Sequence, residues 1–330
     1  MIFAVISYYW KRIFGYFSLK TYQSKQRLHK DEVPRIAGLI IYIFLTTVTF
    51  LSVKSYYLNV ILISALPIVL IASKEDLFHN TSPKLRLIMM IISTGLFVYL
   101  LPTNLPEIHF PMINQILSIG FMKEIFFIFS ILVIINGNNL IDGVNGNLAF
   151  TNIIQLLSVG LLAFIVGDDV ITQLSCLLMI PLIIFALFNF PIGKIFCGDT
   201  GAYFYGFAIS ASVIYLFGTY DHLLSWNAIL ILIYPSIELL FSFIRKKFFE
   251  NKSSFSADAK HLHSLIFRYL KKRHPGFNNS LVTIFLIPFI CAPLLTFLFY
   301  QDIFAIICLI FLFFLLYIML YLFLLNKLSK

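Results

Sequence analysis

Long apolar stretches alternate with short polar segments along almost the whole chain. By hydropathy, ten such stretches fall near 38–53, 57–73, 87–101, 120–135, 148–166, 172–189, 202–217, 226–244, 280–299 and 303–325. The last runs 23 residues, Ile303 to Leu325, without a charge, more than the roughly 20 that carry a helix across a bilayer. An eleventh segment, 1–18, is interrupted by Lys11 and Arg12 and reads as a short or tilted span or an interfacial helix. No small-residue cleavage site follows it, so it is not read as a cleaved signal peptide. The strict alternation of a membrane β-barrel is absent. The expected fold class is all-α: one polytopic transmembrane helical bundle over 1–330, with about 10–11 spans and no internal repeat.

Composition sharpens this. Hydrophobic residues make up 60% of the chain and charged ones 12%, with 37 Phe and a mean hydropathy of +0.93. A soluble domain of this length would need far more polar surface. Cys176, Cys197, Cys291 and Cys308 show no metal or disulfide spacing and read as small buried hydrophobes. The net charge of +9 raises the question of a nucleic-acid partner, and topology answers it. With the segment before residue 38 on the cytoplasmic side, 22 of the 24 Lys and Arg fall on that face. The opposite loops carry Glu107, Asp168, Asp169, Asp221 and Asp302. This is the positive-inside asymmetry of a membrane protein, and it needs no nucleic acid. The longer polar segments, 19–37, 74–86, 136–147, 190–201 and the basic loop 245–278, fall on the same side.

Four of these segments carry chemistry. Residues 72–86 hold Glu75, Asp76, Lys84 and Arg86; 136–146 hold Asn139, Asp142 and Asn145; 189–202 hold Asn189, Lys194 and Asp199; 258–263 hold Asp258, His261 and His263. Acids, Gly-flanked turns, cations and two imidazoles suit phosphate transfer with a hard divalent cation. Mg²⁺ takes one or two carboxylates and fills its shell with phosphate oxygens and water. Asp199, between Gly198 and Gly201, offers such a carboxylate on a loop. Lys84, Arg86, Lys194 and the histidines can neutralise a diphosphate, and Asp76 and Asp142 can position a metal or handle a proton. Each segment alone has an ordinary reading: Asp-Gly and Asn-Gly pairs are common turns, and a basic loop attracts anionic lipid headgroups. Their coincidence on one membrane face favours a site. Within the spans, Glu238 stands out. A charge at membrane depth costs about 2.5 kcal/mol or more and therefore faces the bundle interior or a wet cavity.

In order and placement these segments resemble the polyprenyl-phosphate N-acetylhexosamine-1-phosphate transferase family. The acidic pair Glu75-Asp76, the Asn136–Gly146 loop, the Gly198-Asp199-Thr200-Gly201 loop preceded by Asn189, and His261-x-His263 all look like family motifs. The stretch from His29 to Gly38 is similar to the family's first cytoplasmic motif. The resemblance spans about 27–275. It implies a multi-pass enzyme of the bacterial inner membrane whose active site faces the cytoplasm. A UDP-N-acetylhexosamine, by default UDP-GlcNAc, would pass its sugar 1-phosphate to undecaprenyl phosphate and release UMP. Mg²⁺, or Mn²⁺ in its place, would be the cofactor. It further implies Asp199 as metal ligand, Asp76 and Glu75 as the acids near the lipid phosphate, and Asp142 with Asn139 organising the nucleotide and diphosphate. His261, His263 and Arg86 would contact phosphates or sugar. Glu75 and Asn145 stand where many members carry Asp, which points toward a surface-polysaccharide or O-antigen branch. A membrane transporter or flippase for a lipid-linked anion is the alternative; it would place charges and broken helices at the midplane.

Overall fold

Helices are the only regular elements among the described residues. The computed structural model describes residues 33–51, 55–250, 260–274 and 276–329. The expected segment over 1–18, His29 and Asp258 lie outside them. In chain order the helices are α1 (Ala37–Leu51), α2 (Tyr56–Phe78), α3 (Pro83–Leu100), α4 (Pro111–Leu117), α5 (Met122–Ile141), α6 (Asn147–Ile165), α7 (Asp169–Asn189) and α8 (Gly198–Thr219). There follow α9 (Trp226–Ile231), α10 (Ile233–Ile244), α11 (Leu262–Arg273), α12 (Ser280–Cys291), α13 (Leu295–Phe299) and α14 (Ile303–Ser329).

Eight apolar helical stretches are long enough to cross a membrane: α2, α3, α5, α6, α7, α8, the bent α12–α13 run over Ser280–Phe299, and α14. The molecule is an all-α polytopic membrane bundle. Two of the ten predicted stretches are shorter. α1 has 15 residues, and the stretch at 226–244 is broken at Leu232. The cause of the break is Pro235, which has no N–H to give the carbonyl of Ile231. Gln155 on α6 donates to that carbonyl instead, at 3.0 Å. The backbone of α5 lies against the same place, since a Cβ on Gly137 would meet the Pro235 carbonyl oxygen at 2.1 Å.

The polar segments are also less loop-like than hydropathy suggests. α2 runs through Glu75 and Asp76 to Phe78, α5 through Asn136 and Asn139 to Ile141, and α8 starts at Gly198. Asp199 thus sits in the first turn of a helix, not on a loop. Hydropathy stops at the first polar residue, whereas the backbone ladder continues wherever side chains find polar company. The cysteines are corrected too: Cys197 alone is fully buried, and all four are free.

α8 is the centre of the bundle. Every residue from Gly198 to Gly218 is buried, and the helix packs on α1, α2, α5, α6 and α7. Small residues let its neighbours approach closely. A Cβ on Gly206 would lie 2.8 Å from the Cα of Ile135, and one on Gly38 of α1 would strike Gly201. Because successive helices alternate in sense, the ends of α2, α5 and α7 meet the starts of α1, α3, α6 and α8 at one end of the bundle. The other end is held by His109, which accepts and donates around Ser225 and takes the Trp226 indole N–H on its carbonyl at 3.2 Å.

Candidate active site

The start of α8 organises the site. A helix N-terminus leaves several N–H groups unpaired, and Cys197, at the cap position, contributes no side-chain hydrogen bond. The cap comes from another helix. Asp76, near the end of α2, accepts from the N–H of Asp199 at 2.9 Å, the N–H of Thr200 at 2.8 Å and the Thr200 hydroxyl at 2.7 Å. Its negative charge also complements the positive end of the helix dipole. Gly198 makes the approach possible: its φ is +75°, and a Cβ there would sit 2.5 Å from an Asp76 carboxylate oxygen.

With the backbone capped by Asp76, the Asp199 side chain is free to face the end of the bundle. Its Oδ1 accepts from Arg35 Nη2 and Asn139 Nδ2, each at 3.1 Å, and its Oδ2 from Arg86 Nη1 at 2.9 Å. Arg86 also donates to the Tyr203 hydroxyl, one turn along α8, at 3.4 Å. Arg35 Nε lies 3.7 Å from Asp76. Its side chain is 42% exposed, against 3% for Asp76 and 11% for Asp199, so the guanidinium forms the outer edge of the cluster. Burial pulls the Arg35 pKa down, but Asp76, Asp199, Asp142 and Glu75 outweigh it and the net shift is upward; Arg35 stays charged.

Asp142 ends α5, and its side chain makes no hydrogen bond among the described residues. Burial pushes its carboxyl up to about 8; Arg35 works against that shift, and Asp199 and Asp76 add to it. Among the described residues, two guanidiniums thus lie with three carboxyls, and Asp142 is the one that accepts no hydrogen bond. Beside it, the ring of His263 fills the space a Gly143 side chain would take, its Nε2 lying 2.0 Å from where a Cβ would stand. Burial, and then the neighbouring His261, lower the His263 pKa to about 3, so His263 is neutral at working pH. The two imidazoles are parallel, 5.8 Å apart at an interplanar angle of 8°.

The remaining sequence candidates surround this cluster. Glu75 accepts from the Thr81 N–H at 2.9 Å and the Thr81 hydroxyl at 2.5 Å, holding the turn between α2 and α3. Asn189 accepts from Gly146 N–H at 2.7 Å and donates to the Ile195 carbonyl at 2.9 Å, fastening the two loops beside the site to each other. Lys84 and Lys194 are exposed and make no ion pair among the described residues. Sequence reasoning missed Arg35 and Tyr203. Arg35 lies within the noted His29–Gly38 stretch, and that placement was the available signal; Tyr203 is one turn beyond Asp199.

A membrane bundle that gathers carboxylates and guanidiniums at the ends of its helices has a cluster of groups suited to a phosphorylated ligand. Comparison with known proteins adds to this. The family model of glycosyl transferase family 4 matches residues 58–217, a range that holds Asp76, Asp142 and Asp199. Over that range the chain is similar to that family. A probable undecaprenyl-phosphate N-acetylglucosaminyl 1-phosphate transferase of Bacillus subtilis is 28% identical over 282 residues, 81% of this chain and 74% of the relative. An undecaprenyl-phosphate α-N-acetylglucosaminyl 1-phosphate transferase of Thermotoga maritima is 26% identical over 274 residues, 82% of this chain and 81% of its own length. A phospho-N-acetylmuramoyl-pentapeptide-transferase of Streptococcus equi subsp. zooepidemicus is 24% identical over 259 residues, covering 72% and 76%. The chain is thus similar to multi-pass membrane phospho-sugar transferases.

Proposed function

We propose that the chain transfers N-acetylhexosamine 1-phosphate from a UDP-sugar, by default UDP-GlcNAc, to undecaprenyl phosphate, releasing UMP on the cytoplasmic side of the inner membrane. The product would start a lipid-linked glycan, in the surface-polysaccharide or O-antigen class. The observation that carries this reading is the donor-free carboxyl of Asp142 beside Asp199, itself ringed by Arg35, Asn139 and Arg86. The two relatives named for N-acetylglucosamine also name undecaprenyl phosphate, and their identity, 28% and 26%, is higher than the 24% of the phospho-N-acetylmuramoyl-pentapeptide-transferase.

The donor set fits a Mg²⁺ ion, or Mn²⁺. Among the described residues no three His, Cys, Asp or Glu form a protein cage. Two carboxylates, Asp199 and Asp142, are what Mg²⁺ takes when substrate phosphates complete its shell. A bound divalent cation would supply charge stabilisation at the transferring phosphoryl group. The protein's own residues do the rest. Arg35 and Arg86 give guanidinium forks for diphosphate oxygens, and Asp76 fixes the turn that presents Asp199. An acceptor phosphate monoester, with a second pKa of about 6, is largely dianionic at neutral pH. It needs little base assistance, so positioning and charge carry the reaction. We favour direct attack over a covalent Asp-phosphate intermediate.

The test is UMP release from purified protein given undecaprenyl phosphate, Mg²⁺ and a panel of UDP-sugars that includes UDP-N-acetylmuramoyl-pentapeptide. Turnover of UDP-GlcNAc or a deoxy analogue supports the assignment. Turnover of the pentapeptide donor alone would move the chain to the other branch, and UMP from no donor would end the enzyme reading.

A further inference from the structure

Glu238 has no part in the phosphate cluster, yet it is 1% exposed on α10, inside the bundle. A carboxylate so placed carries a large desolvation cost unless it is paired. Its Oε2 lies 3.4 Å from Nδ1 of His261, within ion-pair reach, and that buried Nδ1 has no hydrogen-bond partner among the described residues, which leaves the carboxylate as the acceptor it faces. The other titratable groups that feel its charge are the buried phenols Tyr234 and Tyr317. His261 is the first residue of the α11 turn and is itself 6% exposed; its ring stacks on His263, and His263 rests on Gly143 next to Asp142. The backbone of α10 packs on α5, the helix that bears Asn139 and ends at Asp142. One buried side chain therefore links the loop histidines to the helix that carries the site.

We propose that Glu238 is the positioning residue of the His261/His263 pair. Its carboxylate holds the hydrogen of His261 on Nδ1 and so leaves Nε2 as the nitrogen that meets a ligand. A carboxylate facing one ring nitrogen fixes both tautomer and ring orientation in this way. The stacked His263 takes its place from His261 and lies against the Asp142–Gly143 turn. What the histidines then touch, phosphate or sugar, rests on the transferase reading above; how they are held does not.

Glu238→Gln keeps the shape and removes the charge. In protein labelled with ¹⁵N-histidine and reconstituted in nanodiscs, wild type is expected to show His261 with its hydrogen on Nδ1, and Glu238→Gln a shift of population toward Nε2–H. In the UMP assay Glu238→Gln should lower kcat about 10- to 100-fold, the usual cost of losing an orienting partner, with KM changed less. Glu238→Asp, which keeps the charge one methylene further back, should recover part of that loss and serves if the Gln variant does not fold. In a double variant with His261→Asn, Glu238→Gln should add nothing to the loss from His261→Asn alone. An unchanged tautomer, or losses that multiply in the double variant, would overturn the proposal. If wild type itself releases no UMP, the transferase reading fails, and the tautomer measurement still decides the positioning role.

Discussion

α8 and α14 are both membrane-length helices, and they solve opposite problems. α14 is the most apolar of the eight, and 22% of its most apolar window is buried; α8 is the least apolar, and 94% of the corresponding window is buried. Phe304, Phe311, Leu315 and Leu322 of α14 point outward, where lipid is the solvent. α8 instead carries Gly201, Ala202, Gly206, Ala208, Ser210, Ala211 and Ser212 along its length. Lipid tails are as apolar as Leu, so helices associate through close packing and polar contacts. Between these two helices the stronger hydrophobic signal goes with exposure to lipid, and the weaker span is the one that holds its neighbours and presents the acidic cluster.

The comparison can be broken or sharpened at single residues. The largest effect is expected at the head of α8. Asp199→Asn removes one charge and should lower UMP release at least about 100-fold, with the protein still eluting as a folded species; near-full activity would remove Asp199 from the metal assignment. Next is Gly206→Leu, which drives a side chain into the Ile135 backbone 2.8 Å away and should cost about 3 kcal/mol, read as lost folded yield on fluorescence-detected size exclusion. Recovery of normal yield would mean that α5 and α8 are not locked.

A smaller effect concerns pH. Burial holds His263 at about 3 in the folded protein, below the roughly 6.5 of an unfolded histidine. On falling pH the unfolded chain takes up this proton first, so stability is full above about pH 6.5 and declines toward pH 3. Melting temperatures between pH 7.5 and 4.5 should fall less steeply in His263→Asn; an unaltered slope would show that His263 is not the group responsible. Smallest of all is Leu315→Ala on the lipid face of α14, expected within about 0.5 kcal/mol of wild type and with unchanged UMP release. A large loss there would mean that this face is covered by protein.

The sequence made the spans readable because every apolar stretch announces its own length. It also made the acids and histidines readable, since they interrupt apolar runs. What it hid is partnership. Arg35 pairs with Asp199 across 164 positions, and Asp76 caps Asp199 across 123; no local spacing encodes either contact. Glu238 stood out as a buried charge, but its partner lies on another helix. Asn189 stood out within its segment, but its bonds to Gly146 and Ile195, 43 and 6 positions away, follow from no spacing rule. Pro235 predicts a bend, yet Gln155, which repairs it, follows from no nearby residue. Hydropathy also cut α2, α5 and α8 short at their polar turns, where the site is built.

The cap that α2 lends to α8 has a consequence for biogenesis. Asp76 is made and inserted long before the ribosome reaches Gly198, and until then its carboxylate has none of the three donors that satisfy it in the finished bundle. A nascent or truncated chain ending before residue 198 therefore carries, at the end of α2, an acid without those three donors. The same dependence keeps the cluster around Asp199 unformed until the helices that supply Arg35, Asn139 and Arg86 are in place.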